Sequence, residues 1–233
     1  MLGLDDTIAH LSTGASVAVV LLVAALLGLR HATDPDHVAA VTTLVAAGRD
    51  RVARRAARLG AYWGLGHALT LVGFGLPVLL FRHYLPERAQ QAAESAVAAL
   101  IVFLALRLLV RWRHGYFDLH AHPHEHPDHR HAVRTPAGAF AIGLVHGTGG
   151  SAGVGVLLLA TIPSTGLAVA SLLVLAAFTA VSMTIVTTGF GLTLSSGPVV
   201  ASLPRVAPLL GLASLAFGVW YAAAAWSAAP YPF

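Results

Sequence analysis

The sequence predicts an all-α integral membrane protein of six transmembrane helices, and two observations predict it. Charged residues make up 10% of the 233 and hydrophobic residues 57%, whereas soluble domains carry about 25% charged residues. So little charge cannot cover a water-facing surface. The apolar residues also fall into runs of the roughly 20 residues that a helix needs to cross the hydrocarbon layer. Six such runs and their connections use the whole chain and leave no room for a separate soluble domain.

The first apolar segment covers residues 15–29 and meets Arg30-His31-Ala32-Thr33-Asp34-Pro35-Asp36-His37; apolar character resumes over 38–47. One straight helix through all of it would be about 50 Å long at about 1.5 Å per residue, longer than the membrane is thick. Pro35 lacks an amide hydrogen and disfavours helix at Asp34. The first helix is therefore expected to bend or break at Pro35. Further spans are expected at about 60–81, 92–112, 136–162, 167–194 and 206–226. Asp5 and Asp6, with no basic residue before the first apolar run, make a poor signal-peptide start, so that run is expected to be retained.

All 14 basic residues are arginine. They gather in the first connection (Arg49, Arg51, Arg54, Arg55, Arg58), around the third (Arg111, Arg113, Arg130, Arg134) and at Arg205 in the fifth. Cytoplasmic loops are enriched in basic residues. The pattern predicts a multi-pass protein of the cell (inner or plasma) membrane with both termini outside the cytoplasm. The clusters are read as topology signals and not as a nucleic-acid surface.

Two short matches recur at nearly one spacing. Gly28-Leu29-Arg30-His31-Ala32-Thr33 resembles Gly143-Leu144-Val145-His146-Gly147-Thr148, displaced by 115, and Gly73-Phe74-Gly75-Leu76 matches Gly189-Phe190-Gly191-Leu192, displaced by 116. A unit of three spans reverses direction, so the halves would be inverted, an architecture that places a site near the midplane. The predicted organisation is a first three-helix repeat at 1–113, a histidine-rich cytoplasmic loop at 114–135 and a second three-helix repeat at 136–233.

Ionisable residues within spans are costly and usually functional. His31, Asp34, Asp36 and His37 cluster at the first break, His67 lies in the second span and His146 in the fourth. Imidazole suits nickel, cobalt, copper and zinc, and carboxylate adds charge compensation. The predicted metal ligands are His31, Asp36, His37, His67 and His146, with Asp34 and Met183 as secondary candidates. Met183 falls opposite His67 in the repeat, where a thioether is a soft ligand but more often packing. Thr179, Ser182, Thr184, Thr187 and Thr188 either line a polar path or bond back to their own helix. The 114–135 connection holds His114, His120, His122, His124, His126, His129 and His131, a tract that reads as metal binding. The chain has no cysteine, which excludes thiolate sites and disulfides. With no P-loop and no His-Glu-x-x-His stretch, it is not expected to be an enzyme.

Arg30 to Val38, a histidine followed after four residues by Asp-His, resembles a signature of the nickel/cobalt transporter family (the NiCoT or NicO superfamily). Leu65-Gly66-His67 is similar to that family's second signature. The resemblance implies that His31, Asp36, His37 and His67 select or bind metal. It is strong over the first two helices and follows span order over most of the chain. The longer permeases of the family carry carboxylates in later signatures and have extra helices. Here the stretches around His146 and Met183 have no acid, and six spans fit the shorter members. The histidine-rich loop is similar to that of nickel/cobalt efflux members. The expected function is transport of Ni2+ or Co2+ as substrate, with no prosthetic group. The alternative is a membrane accessory or sensor protein acting through the histidine-rich loop. Expected partners are the metal ion and the lipid bilayer; a second copy of the chain or a metallochaperone is left open.

Overall fold

The structure is a computed structural model and describes residues 17–46, 53–81, 86–117, 135–149 and 151–230. These form eight helices and, among the described residues, no strand: α1 Val17–His31, α2 Pro35–Ala46, α3 Ala53–Phe81, α4 Glu87–Arg113, α5 Pro136–His146, α6 Ser151–Ala160, α7 Thr165–Ser195 and α8 Gly197–Ala225. Four of them, α3, α4, α7 and α8, are long and apolar enough to cross a membrane; the bent pair α1–α2 makes a fifth if taken as one span. The chain is thus a multi-pass membrane protein.

The break expected at Pro35 is present. Helix α1 stops at His31, α2 starts at Pro35, and the two axes differ by 43°. Proline fits the first position of a helix, where its missing amide hydrogen costs nothing. The interval closes with Thr33 N–H donating to the Arg30 carbonyl at 2.9 Å, and with the Thr33 hydroxyl donating to the same oxygen at 2.6 Å.

The expected fourth span differs from the prediction. Its residues form two short helices, α5 of 11 residues and α6 of 10. At about 1.5 Å per residue each covers only about half of the hydrocarbon layer. The cause is the run Gly147-Thr148-Gly149-Gly150, where glycine disfavours helix. This break closes as the first does: Thr148 N–H donates to the Val145 carbonyl at 3.2 Å and its hydroxyl to the same oxygen at 2.7 Å. Thr135 caps α5, accepting from Gly138 N–H at 3.0 Å, ahead of Pro136 at the first turn.

Helices α3 and α7 cross at the centre. The half-helix α5 packs on α3, α1 packs on α7, and α4 pairs with α8. Small residues let these backbones approach. A Cβ at Gly143 would collide with the Trp63 carbonyl, and one at Gly66 with the Phe140 carbonyl, so α3 and α5 meet through reciprocal glycines. A Cβ at Gly28 would lie 2.5 Å from the Leu175 carbonyl oxygen, and one at Gly64 2.9 Å from Ala180 of α7. Two apolar clusters flank the crossing: Leu71, Val78, Val156, Leu172 and Leu175 in one, and Val41, Leu59, Trp63, Leu104, Ile142 and Met183 in the other. Outward faces stay apolar, with Leu22, Leu26, Phe103, Leu106, Leu173, Val181 and Ile185 exposed, as a lipid-facing surface requires.

Gly143→Val is expected to destabilise the protein by about 1–3 kcal/mol through overpacking against α3. Gly73→Ala, where a Cβ meets nothing within 4 Å, is expected to raise stability by about 0.5–1 kcal/mol, because alanine favours the helix interior over glycine. Thermal denaturation of the two variants in one detergent checks both.

Candidate metal centre

Where α1 ends, α2 begins and α5 ends, their polar residues turn inward against the middle of α3. Asp36, His67 and His146 have no exposed surface, and His37 is 1% exposed; His31 and Asp34 are also buried. Such groups persist inside an apolar bundle only with partners.

The partners are mutual. Asp36 spans two imidazoles, Oδ1 facing His37 Nδ1 at 3.1 Å and Oδ2 facing His146 Nε2 at 3.3 Å. His31 Nε2 lies 3.0 Å from His67 Nε2. On its other edge His31 Nδ1 faces Asp34 Oδ2 at 3.3 Å, while Asp34 Oδ1 accepts from Arg30 at 3.1 Å. Asp34 thus stands between Arg30 and His31, where a carboxylate can orient the imidazole.

The rings pack closely. His37 lies 4.5 Å from His31, 5.0 Å from His67 and 4.4 Å from His146, centroid to centroid. Trp63 closes one wall, 5.9 Å from His37 and 5.8 Å from His146. Two groups, His31/His37/His67 and Asp36/His37/His146, each present three ligand atoms within 4.8 Å of one another. His37 Nε2, His67 Nδ1 and both ring nitrogens of His146 are buried and have no hydrogen-bond partner among the described residues, His146 Nε2 keeping only its ion-pair contact to Asp36. An unpartnered imidazole nitrogen in a dry interior is costly and is the form that binds a borderline divalent ion.

All five residues proposed as ligands from sequence thus converge, though they come from four helices. Asp36 and His37, which would face apart on a regular helix, both reach the centre because they sit in the first turn after the break. Met183 is buried among apolar residues that include Trp63 and Ile142, which is the packing alternative. The hydroxyls of α7 divide. Thr184 and Thr188 donate to Ala180 and Thr184 carbonyls at 2.8 and 2.6 Å, and Ser182 donates across to the Gly28 carbonyl at 3.2 Å. The Thr179 and Thr187 hydroxyls are buried without a partner among the described residues. Of the loop histidines, His114 caps the end of α4 and is exposed; His120, His122, His124, His126, His129 and His131 lie outside the described residues.

Sequence reasoning passed over Glu94. It falls within the predicted third span, is 4% exposed in α4, and accepts from the Gln90 amide at 2.9 Å. Its backbone packs against Gly149 at the second break. The signal was the acid itself inside an apolar run.

The chain resembles a urease accessory protein. It is 28% identical over 209 residues to urease accessory protein UreH of Bacillus sp. (strain TB-90), a match that spans 87% of this chain and 90% of that protein. No protein-family model matches, and no solved structure matches. The relative is named as an accessory protein and not as an enzyme, in line with the expectation that this chain is not an enzyme.

Asp36→Ala leaves the facing edges of two buried imidazoles without a carboxylate. It is expected to cost roughly 3 kcal/mol of stability, and Asp36→Asn, which keeps an oxygen acceptor, less. Unfolding of both variants in detergent, without added metal, measures the difference.

Proposed function

We propose that this chain carries a divalent transition metal ion, nickel or cobalt, across the cell membrane through the His31, Asp36, His37, His67 and His146 centre. The observation that carries the reading is the convergence of four imidazoles and one carboxylate, buried among apolar helices, with four imidazole nitrogens lacking a hydrogen-bond partner among the described residues. A divalent ion loses its hydration shell only where ligands and charge replace it. Neutral imidazoles supply the ligands and Asp36 supplies charge. The same imidazoles bind protons, so protons compete with the ion, and release on one face can be coupled to protonation there.

The helix arrangement supports alternating access between two inverted three-helix halves at 1–113 and 136–233. In each half the first described helix ends in a histidine, His31 or His146, and breaks through a threonine that bonds back in the same way. Each half-helix packs on the long helix of the other half, α1 on α7 and α5 on α3. Arginine placement supports termini outside the cytoplasm, with the 114–135 loop inside as a capture or buffering segment. The motif resemblance and the match to a urease accessory protein both fit a role in nickel supply. That relative's name also favours a second reading, a metal-binding accessory or sensor that acts through the loop and does not transport.

Flux of Ni2+ or Co2+ in proteoliposomes separates the two. His31→Ala or His37→Ala is expected to abolish flux, and unchanged flux would remove the site from the pathway. Deleting residues 114–131 is expected to leave flux in place; its loss would favour the accessory reading. His146→Ala is expected to impair flux more than Met183→Ala. Asp34→Asn is expected to weaken apparent metal affinity by about 10- to 100-fold, because the imidazole of His31 loses its orienting carboxylate.

A further inference from the structure

We infer that the centre holds its ion at two overlapping positions that share His37, and that the ion passes between them by exchanging one edge of that ring for the other. The inference rests on the transport reading above. The two three-ligand groups, His31/His37/His67 and Asp36/His37/His146, have only His37 in common. The two nitrogens of His37 are in different situations. Nδ1 faces Asp36 at 3.1 Å, within the second group. Nε2 is buried and has no hydrogen-bond partner among the described residues, and the His31 and His67 rings lie 4.5 and 5.0 Å from the His37 ring. One imidazole therefore offers a lone pair to either group, in the tautomer that suits it.

The groups differ in charge and in helix. His31 and His67 come from α1 and α3 and bring no charge of their own; Asp36 and His146 come from α2 and α5 and bring one negative charge. A desolvated divalent ion is held better in the second group. Two ions at once would place four positive charges against Asp36 and the more distant Asp34, which an apolar interior penalises heavily. The centre therefore takes one ion at a time. Of these ligands His146 alone comes from the second half, at the end of the broken helix α5, so a shift of one half against the other opens the Asp36 position and leaves the His31 position complete.

Co2+ binding to the purified full-length chain in detergent tests this, read by equilibrium dialysis and by the visible ligand-field spectrum. Beyond any Co2+ held by the loop histidines, wild type is expected to bind one Co2+ that the 114–131 deletion also binds, and His37→Gln to lose about a hundredfold or more in affinity at that site. The double variant His31→Gln/His67→Gln and the single variant His146→Gln are each expected to keep one Co2+ with different spectra, and each to lose flux. A double variant that loses Co2+ as completely as His37→Gln overturns the two-position inference. So does a His146→Gln protein with the wild-type spectrum and wild-type flux. If the double variant does not elute as a single folded species, His67→Gln alone replaces it with the same expected and opposing results. These outcomes leave the transport reading standing; a wild-type chain that neither binds nor carries Co2+ overturns both.

Discussion

Asp36 is a carboxylate with no exposed surface in the middle of an apolar helix bundle, and everything around it follows from the cost of that burial. A lone buried carboxylate is prohibitive, so two imidazoles must stand against its two oxygens. His37, next in sequence, takes one oxygen and His146, 110 residues further along the chain, takes the other. That second contact joins the two halves of the chain at the point where both half-helices stop. The same contacts that make the carboxylate tolerable bring four imidazoles within reach of one another.

The backbone had to change direction twice for this to happen. A straight helix would send Asp36 and His37 to different faces and would carry His31 more than a full turn away from both. Ending α1 at His31 and restarting at Pro35 gathers all three, while Asp34 stands between Arg30 and His31. The second break, at the glycine run after His146, leaves that imidazole at a helix end. Broken helices inside a membrane are tolerated where protein covers the freed backbone. Here the threonine hydroxyls at both breaks and the close glycine contacts of α5 and α1 supply that cover.

Much of this was legible in the sequence. Scarce charge and long apolar runs establish the helical membrane class because lipid offers no other partner for backbone groups. Pro35 marks the first break by its missing hydrogen. The ligands stand out because polar residues inside apolar runs have few structural reasons to be there, and all five converge. The second break was less legible: a glycine run inside one long apolar stretch equally suits close helix packing, although the repeat with the Pro35 segment points to a second interruption. Glu94 was passed over although it lies in the predicted third span.

By itself the sequence determined the class, the position of the first break and the set of candidate ligands, because those depend on composition and local backbone chemistry. Only the tertiary structure decided which residues meet. It placed Asp36 between His37 and His146, set Asp34 beside His31 and Arg30, buried Met183 beside Trp63 and Ile142, and gathered the candidate ligands into two groups sharing one ring. Those outcomes depend on how α1 and α5 lie against α7 and α3, and that is settled by glycine contacts between residues more than 70 positions apart, which no local pattern encodes.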